Sequence, residues 1–213
     1  MSNIQLLNED NMSVMARYPD KFFDLAIVDP PYGNTTDVMN VGNTGKSHSA
    51  KRKQTKLYEN KAPETMYFEE LKRVSKRQII WGANFFGLKG GYICCNKNGT
   101  AFGECELAYD SGSSAVRLFE YTWNGMIQGN MKNKEIRIHT HQKPVALYKW
   151  ILDKYAKPGD KILDTHLGSG SNAIAAHQFG ISEFVGCEID KDYYEAAVKR
   201  FNLVTSQKSL FAV

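Results

Sequence analysis

Short apolar strands alternate with helices through the last third of this chain, and this rhythm restricts the fold more than any other feature. The spacing of apolar residues predicts helices over 144–155, 171–179 and 191–203, with strands over 161–163 and 183–187 between them. Two strands joined through a helix form a parallel pair with a crossover connection. The alternation therefore predicts an α/β fold with a mainly parallel central sheet and helices on both faces.

The earlier part of the chain adds strands and two helices to this sheet. Strands are predicted over 4–7, 22–28, 78–81, 91–95, 105–109 and 115–122, and helices over 11–17 and 63–76. The turn-rich linker 110–114 predicts an antiparallel hairpin between the last two strands. We expect a single domain over 1–213, with a long polar loop over 33–62 and a short tail over 204–213.

Basic residues are concentrated in the loop 33–62. It holds six bases and two acids, so it accounts for the net charge of +4 of the whole chain. A solvated basic loop is the common interpretation of such a segment. A flexible arm that neutralises nucleic-acid phosphates is the functional one. The predicted DNA contacts in this loop are Lys46, Lys51, Arg52, Lys53 and Lys56.

The composition indicates in which compartment the protein works and whether it binds a metal. No apolar run approaches the roughly 18 residues of a membrane span, and the polar N-terminus lacks the pattern of a signal peptide. We expect a cytoplasmic protein with no membrane partner. The four cysteines form no Cys-x-x-Cys pair, and His139 and His141 have no third ligand at useful spacing, so we predict no metal site.

The tetrapeptide Asp29-Pro30-Pro31-Tyr32 follows the apolar run 25–28. Two prolines end the strand and stiffen the backbone, because proline fixes φ and has no N–H. The carboxyl end of a strand is where open α/β sheets bind ligands. A rigid carboxylate beside an aromatic ring suits the binding of a planar amine. A Pro-Pro turn with a surface aspartate is the alternative.

A second motif lies between the predicted strand 161–163 and the helix 171–179. Asp164 ends the strand, and the turn that follows contains Gly168-Ser169-Gly170. Glycines let a ligand approach the backbone, and a helix N-terminus presents free N–H groups. Glu188 ends the next strand, at about the spacing of the acids that bind ribose hydroxyls in nucleotide-binding folds. A purely structural glycine turn is the alternative.

Together these motifs resemble those of the S-adenosylmethionine-dependent DNA amino-methyltransferases of the N6-adenine/N4-cytosine class. The Asp-Pro-Pro-Tyr motif precedes the glycine motif, as in the permuted beta group, which includes phage, mobile-element and restriction-modification enzymes. Further stretches carry the resemblance: Asn8-Glu9-Asp10, Trp81-Gly82-Ala83-Asn84 and His141-Gln142-Lys143-Pro144. The resemblance implies a Rossmann-like methyltransferase fold and methylation of adenine N6 in double-stranded DNA.

The resemblance also implies catalytic roles. Asp29 would accept a hydrogen bond from the exocyclic amine of a flipped base, and the carbonyl of Pro30 would accept the second. Pro31 would stiffen this backbone, and Tyr32 would stack on the base. Asp before Pro-Pro-Tyr, rather than Ser, favours adenine over cytosine in this family.

For the cofactor, the resemblance implies a binding site for S-adenosyl-L-methionine. Gly168, Ser169 and Gly170 would approach its methionine and ribose, and Glu188 would bind the ribose hydroxyls. The other implied cofactor residues are Asp10 at the adenine, and Asp164 and Lys143 at the methionine end, with Lys143 near the carboxylate. Asp10 as a helix cap and Lys143 as a surface lysine are the alternatives.

Two positions depart from the family pattern. Thr140-His141 stands where Pro-Thr is common, and His166 stands where Phe is common.

Other activities also stay open: N4-cytosine methylation, methylation of RNA or of a protein glutamine amide, or an inactive DNA-binding subunit. The sequence leaves the oligomeric state and the DNA recognition sequence open.

The C-terminal tail carries a separate pattern. Gln207, Leu210 and Phe211 resemble the short peptides that bind the bacterial sliding clamp. Because the pattern is short, chance occurrence is the alternative.

Overall fold

An eight-stranded sheet organises the protein. The computed structural model describes residues 2–33, 61–99, 103–123, 127–139 and 141–206. The strands are β1 (Asn3–Leu7), β2 (Phe23–Val28), β3 (Ser75–Trp81), β4 (Gly91–Asn96), β5 (Cys105–Asp110), β6 (Val116–Glu120), β7 (Lys161–Asp164) and β8 (Glu183–Cys187). They lie in the order β1-β8-β7-β2-β3-β5-β4-β6. The first five strands in this order are mutually parallel.

Helices cover both faces of this sheet. They are α1 (Asn11–Met15), α2 (Thr65–Val74), α3 (Ala83–Phe86), α4 (Val145–Tyr155), α5 (Ser171–Phe179) and α6 (Lys191–Ser206). Alternate residues of β2 point to opposite faces, as a strand requires. Leu25 and Ile27 pack in the core that includes residues of α4, α5 and α6. Ala26 and Val28 pack in the core that includes residues of α1 and α2. The α/β prediction, with a mainly parallel sheet and helices on both faces, is confirmed.

The predicted hairpin between 105–109 and 115–122 is wrong. β5 pairs antiparallel with β4 and β3, whereas β6 pairs parallel with β4. Alternate residues of β4 are buried, including Ile93 and Cys95, so this strand takes an interior position. Four of the five β6 residues are exposed, which suits the sheet edge. β5 is therefore antiparallel to both of its neighbours, and the 111–115 linker passes the beginning of β4 to reach β6.

Other elements also differ from the sequence prediction, and three of these differences are the most informative. α2 ends at Val74, because Ser75 to Arg77 pair with β2 and continue as strand. The short helix α3 was not predicted; glycines in the left-handed region, Gly82 and Gly87, flank it. α6 continues to Ser206, three residues into the predicted tail. α5 and β8 have the predicted boundaries.

Candidate active site

The two sequence motifs lie at the carboxyl ends of adjacent parallel strands. β2 is hydrogen-bonded to β7 and β7 to β8, with Ala26 opposite Leu163 and Asp164 opposite Gly186. Asp29 follows β2, the glycine turn follows β7, and Glu188 follows β8. Neighbouring strands lie roughly 5 Å apart. The structure therefore brings Asp29, the glycine turn and Glu188 to one edge of the sheet.

Asp29 is engaged through both carboxylate oxygens. Its Oδ1 accepts a hydrogen bond of 2.6 Å from the Tyr32 hydroxyl. Its Oδ2 accepts one of 2.5 Å from the ammonium of Lys143, which precedes α4. The Lys143 side chain is only 8% exposed. Lys143, which the resemblance assigned to the methionine end of the cofactor, therefore contacts the catalytic candidate itself.

A second acid completes this ion cluster. Glu106 on β5 lies 3.2 Å from the Lys143 ammonium and also forms an ion pair with Lys97. Burial alone would raise the pKa of Glu106, but the charges of Lys143 and Lys97 outweigh burial and lower it to about 2. Burial likewise opposes the charge of Lys143, yet Asp29 and Glu106 hold its pKa well above the ordinary value. Glu106 and Lys143 are therefore both ionised at neutral pH.

The ring of Tyr32 lies in an aromatic environment. It stacks on Phe85 of α3 with ring centroids 4.8 Å apart, and it meets Phe86 edge to face. A Cβ at Gly82 would overlap the Tyr32 ring, so glycine at this position leaves room for it. Phe85 is 45% exposed. The site therefore offers a partly open aromatic surface next to Asp29.

The glycine turn after β7 is shaped by its backbone. Gly168 and Gly170 have φ of 51° and 72°, in the region that residues with a Cβ rarely adopt. The N–H of Gly168 donates to Glu188 Oε2 at 2.9 Å, and the N–H of Asp190 donates to Oε1 at 3.0 Å. Burial raises the pKa of Glu188, and these backbone N–H groups oppose that shift. Glu188 thus ties the turn to the segment after β8.

Asp164 is buried behind this turn. Its carboxylate accepts hydrogen bonds from the His166 N–H at 3.0 Å and from the Asn172 side chain at 3.0 Å. Asn172 on α5 also donates to the carbonyl of Ile27 in β2. Burial raises the pKa of Asp164 to about 7, against the two hydrogen bonds. Asp164 therefore supports the turn from inside the protein.

His166, at the position where the family commonly has Phe, belongs to a polar network. Its ring nitrogens lie 3.2 Å from the Asn11 side-chain amide and 3.0 Å from the Thr165 hydroxyl. The Thr165 hydroxyl in turn lies 2.6 Å from that of Tyr67. Burial lowers the pKa of His166 to about 4, so its ring is neutral at pH 7. The histidine links α1 to the turn by hydrogen bonds that a phenylalanine could not form.

Asp10 has a local role in this structure. It is the N-cap of α1, and its Oδ1 accepts a hydrogen bond of 3.0 Å from the Ser13 N–H. Contact with a cofactor adenine stays a prediction. The predicted DNA contacts Lys46, Lys51, Arg52, Lys53 and Lys56, and the predicted clamp contacts Gln207, Leu210 and Phe211, lie outside the described residues.

Two supporting residues were missed by the sequence analysis. Arg200 on α6 donates to the carbonyl of Ser169 at 2.7 Å and to the hydroxyl of Ser171. It also pairs with Glu135, which accepts the N–H of Val145 at the start of α4. Arg200 therefore braces the glycine turn from α6. Its position among the polar residues of an amphipathic helix gave no signal of this contact.

His139 is a third missed residue. Its ring meets that of Tyr193 at 4.2 Å and would lie 3.8 Å from a Cβ at Gly168. Burial lowers the pKa of His139 to about 4, with a smaller contribution from His141.

Within the described ranges, no group of three or more His, Cys, Asp or Glu is arranged to bind a metal ion. The described helices also include none that is long and apolar enough to cross a membrane.

Comparison with known proteins decides the family. The model of the N6/N4 methyltransferase family, described as DNA methylase, matches residues 51–199, which is well over half of the chain. This chain belongs to the N6/N4 DNA methylase family. The matched stretch begins after Asp29-Pro30-Pro31-Tyr32, so that motif lies outside it.

Curated relatives match this chain over shorter stretches. It is 43% identical over 82 residues to the "Probable type III restriction-modification enzyme HindVI Mod subunit" of Haemophilus influenzae, covering 37% of this chain and 11% of that protein. It is 35% identical over 78 residues to the type II methyltransferase M2.DpnII of Streptococcus pneumoniae, covering 37% of this chain and 28% of that protein. The chain thus spans about a tenth of the length of the first relative and about a quarter of the length of the second.

Solved structures support the fold of this chain over nearly its whole length. A crystal structure of an M1.HpyAVI–SAM complex has a TM-score of 0.56 at 19% identity, covering 92% of this chain and 99% of that one. The cytosine-N4-specific PvuII DNA methyltransferase has a TM-score of 0.60 at 11% identity, covering 97% of this chain and 91% of that one. At these identities the similarity shows the Rossmann-like methyltransferase fold alone.

Proposed function

We propose that this protein transfers the methyl group of S-adenosylmethionine to the exocyclic N6 of adenine in double-stranded DNA. The observation that carries the proposal is the placement of a carboxylate beside an aromatic ring, one strand away from a glycine turn and its paired acid. Family membership supports the same reaction class. The Asp before Pro-Pro-Tyr favours adenine.

The residues at the glycine turn fit the proposed cofactor. Gly168 and Gly170 present backbone without side chains, in conformations that suit glycine. Each oxygen of Glu188 holds one backbone N–H, and a carboxylate oxygen can accept a further hydrogen bond from a ribose hydroxyl. When bound, the cofactor supplies an electrophilic methyl group on its sulfonium. Glu188 would orient the ribose, and the turn would accommodate the methionine.

Asp29 and Tyr32 would prepare the amine for attack. Asp29 would accept one hydrogen bond from the exocyclic amine, and the carbonyl of Pro30 would accept the other. Two acceptors in fixed positions direct the nitrogen lone pair towards the methyl group, which is catalysis by positioning and electrostatics. Tyr32 would stack on the flipped base. Such stacking contributes about 1–3 kcal/mol, comparable with the few kcal/mol that base flipping costs.

Incubation with labelled S-adenosylmethionine and duplex DNA, followed by nucleoside analysis, tests the proposal. We expect N6-methyladenine. N4-methylcytosine would replace the adenine assignment, and absence of transfer would favour an inactive DNA-binding subunit. Asp29→Ala should still bind the cofactor but lose transfer. Asp153→Ala, an exposed aspartate on α4, is the matched control and should retain transfer.

The basic loop is our candidate for phosphate contacts. We propose that charge reversal at Lys51, Arg52 and Lys53 weakens DNA binding and reduces the slope of log K against log salt, because each neutralised phosphate releases counterions. An unchanged affinity and slope would contradict this role.

For the tail, removal of 207–213 should abolish binding to the sliding clamp in a pull-down with purified clamp, and unchanged capture would contradict that proposal.

A further inference from the structure

The two oxygens of Asp29 have partners of different kinds. Oδ1 accepts the hydroxyl of Tyr32, which is three residues away on a ring that stacks on the partly exposed Phe85. Oδ2 accepts the ammonium of Lys143, which comes from a distant part of the chain and is 8% exposed. One partner belongs to a half-buried aromatic ring, and the other is a buried ammonium.

Lys143 is itself fixed from several sides. Its ammonium lies 3.2 Å from Glu106 Oε2 and 4.9 Å from the centre of the Trp81 ring. Glu106 is held in turn by Lys97. If Lys143 left this position, Asp29 and Glu106 would become two partly buried carboxylates without their shared cation, which is costly. The ammonium is therefore a rigid anchor.

We propose that Lys143, anchored by Glu106, is a positioning residue that fixes Asp29 through Oδ2 and leaves Oδ1 as the acceptor for the target amine. This inference rests on the proposed function. In the structure the Tyr32 hydroxyl occupies Oδ1, so an incoming base would replace that hydroxyl as Tyr32 turns to stack on it. Lys143 would keep its contact with Oδ2 throughout.

This role competes with a contact between Lys143 and the cofactor carboxylate. A lysine ammonium has three donors, and the observed geometry directs two of them at Asp29 and Glu106. A positioning role and a cofactor contact differ in what they change. The first lowers the rate of methyl transfer at saturating cofactor, whereas the second weakens cofactor binding.

The test uses a charge-balanced double variant, Lys143→Met/Glu106→Gln. It removes one cation and one anion from the cluster, so Asp29 and Lys97 still balance each other. Lys76→Met/Asp24→Asn is the matched control, because it removes an ion pair of 2.7 Å at the opposite end of β2 and β3. Calorimetric titration measures cofactor affinity, and rapid-quench single turnover on duplex DNA measures transfer. A thermal melt checks that each variant folds.

We expect the double variant to bind S-adenosylmethionine as tightly as wild type but to transfer methyl about 100-fold more slowly. A small displacement of a catalytic group can lower the rate by about this factor. The control should transfer at the wild-type rate. A wild-type rate in the double variant would overturn the inference. So would weakened cofactor binding with a rate that saturating cofactor restores. A wild-type protein that transfers no methyl group would instead remove the proposed function.

Glu106→Gln alone is the second variant, for the case that the double variant does not fold. It preserves the shape of the side chain and the ion pair between Lys143 and Asp29. We expect about a 10-fold lower single-turnover rate with unchanged cofactor affinity, because the anchor of Lys143 is weakened. An unchanged rate would show that Glu106 does not anchor it.

Discussion

The two halves of the candidate site are held together in different ways. On the Asp29 side, Tyr32 contacts Asp29 from three residues away, whereas Lys143 before α4 and Glu106 on β5 come from distant segments. On the side of the glycine turn, the main contacts join carboxylates to backbone N–H groups, and Arg200 of α6 and Asn11 of α1 add side-chain contacts. There the backbone N–H of Gly168 meets Glu188, and the backbone N–H of His166 meets Asp164.

This difference shows which kinds of change each half should tolerate. The Asp29 half depends on the balance of buried charges, so the loss of one charge should affect it while the backbone stays in place. The glycine turn depends on backbone conformation and on two carboxylates that accept backbone N–H groups. It should respond to altered φ and to the loss of those acceptors. The predictions below test this contrast, from the largest expected effect to the smallest.

Asp164→Asn should change how stability depends on pH. Burial raises the pKa of Asp164 from the ordinary 3.8 to about 7 in the folded protein. Between these pH values the folded state binds more protons than the unfolded state, so Asp164 makes stability fall as pH rises, by up to about 1.4 kcal/mol per pH unit. The variant lacks this contribution. Its free energy of unfolding in urea should therefore fall less than that of wild type over this window.

Subtracting the variant's free energy of unfolding from that of wild type at each pH leaves the contribution of Asp164, because the other acids are the same in both proteins. If the two curves of unfolding free energy against pH run parallel from about pH 4 to pH 7, Asp164 is ionised throughout in the folded state. The glycine turn would then rest on a charged carboxylate, and the contrast between the two halves would be weaker.

Glu188→Ala should weaken cofactor binding. It removes the acceptor of the Gly168 and Asp190 N–H groups and the proposed ribose ligand. Hydrogen bonds to a charged group contribute about 1.5–3 kcal/mol, which corresponds to roughly a 10–100-fold higher dissociation constant in a calorimetric titration. Glu195→Ala, an exposed acid on α6, is the control. An unchanged affinity in Glu188→Ala would remove Glu188 from the cofactor site.

The sequence predicted the elements around the glycine turn better than the contacts of Asp29, for a physical reason. α5 and β8 have the predicted boundaries, because apolar residues and glycines in one continuous unit determine them. The ion cluster could not be predicted in the same way. Glu106 lies beside Lys143 on β5, which pairs with β3, whereas the sequence analysis had β5 paired with β6.

The same limit applies to the supporting residues. Arg200 contacts Ser169 across the interface between α5 and α6, and a helix sequence does not indicate which polar side chain turns inward. Asp10 illustrates the opposite case. A capping residue depends on the next three residues alone, so its bond to the Ser13 N–H was among the alternatives from the outset.

Tyr32 separates the role of a ring from that of a hydroxyl. Tyr32→Phe keeps the ring that stacks on Phe85 and removes only the donor to Asp29. It should retain single-turnover transfer within a few-fold of wild type, since Lys143 still holds the carboxylate. Tyr32→Ala removes the stacking surface and should lose about 10-fold or more, because one stacked base contributes roughly 1–3 kcal/mol. Equal losses in both variants would assign the function to the hydroxyl instead.

Gly170 and Gly180 provide a matched pair at the two ends of α5. Both have positive φ, 72° and 82°, and a Cβ at either would meet no heavy atom closer than 3.4 Å. Gly170→Ala and Gly180→Ala should therefore each cost about 1–2 kcal/mol in the free energy of unfolding, from left-handed strain alone. Only Gly170 lies in the glycine turn, so only Gly170→Ala should also reduce cofactor affinity. If Gly180→Ala reduced it equally, the turn would respond to the stability of α5 as a whole rather than to its own backbone.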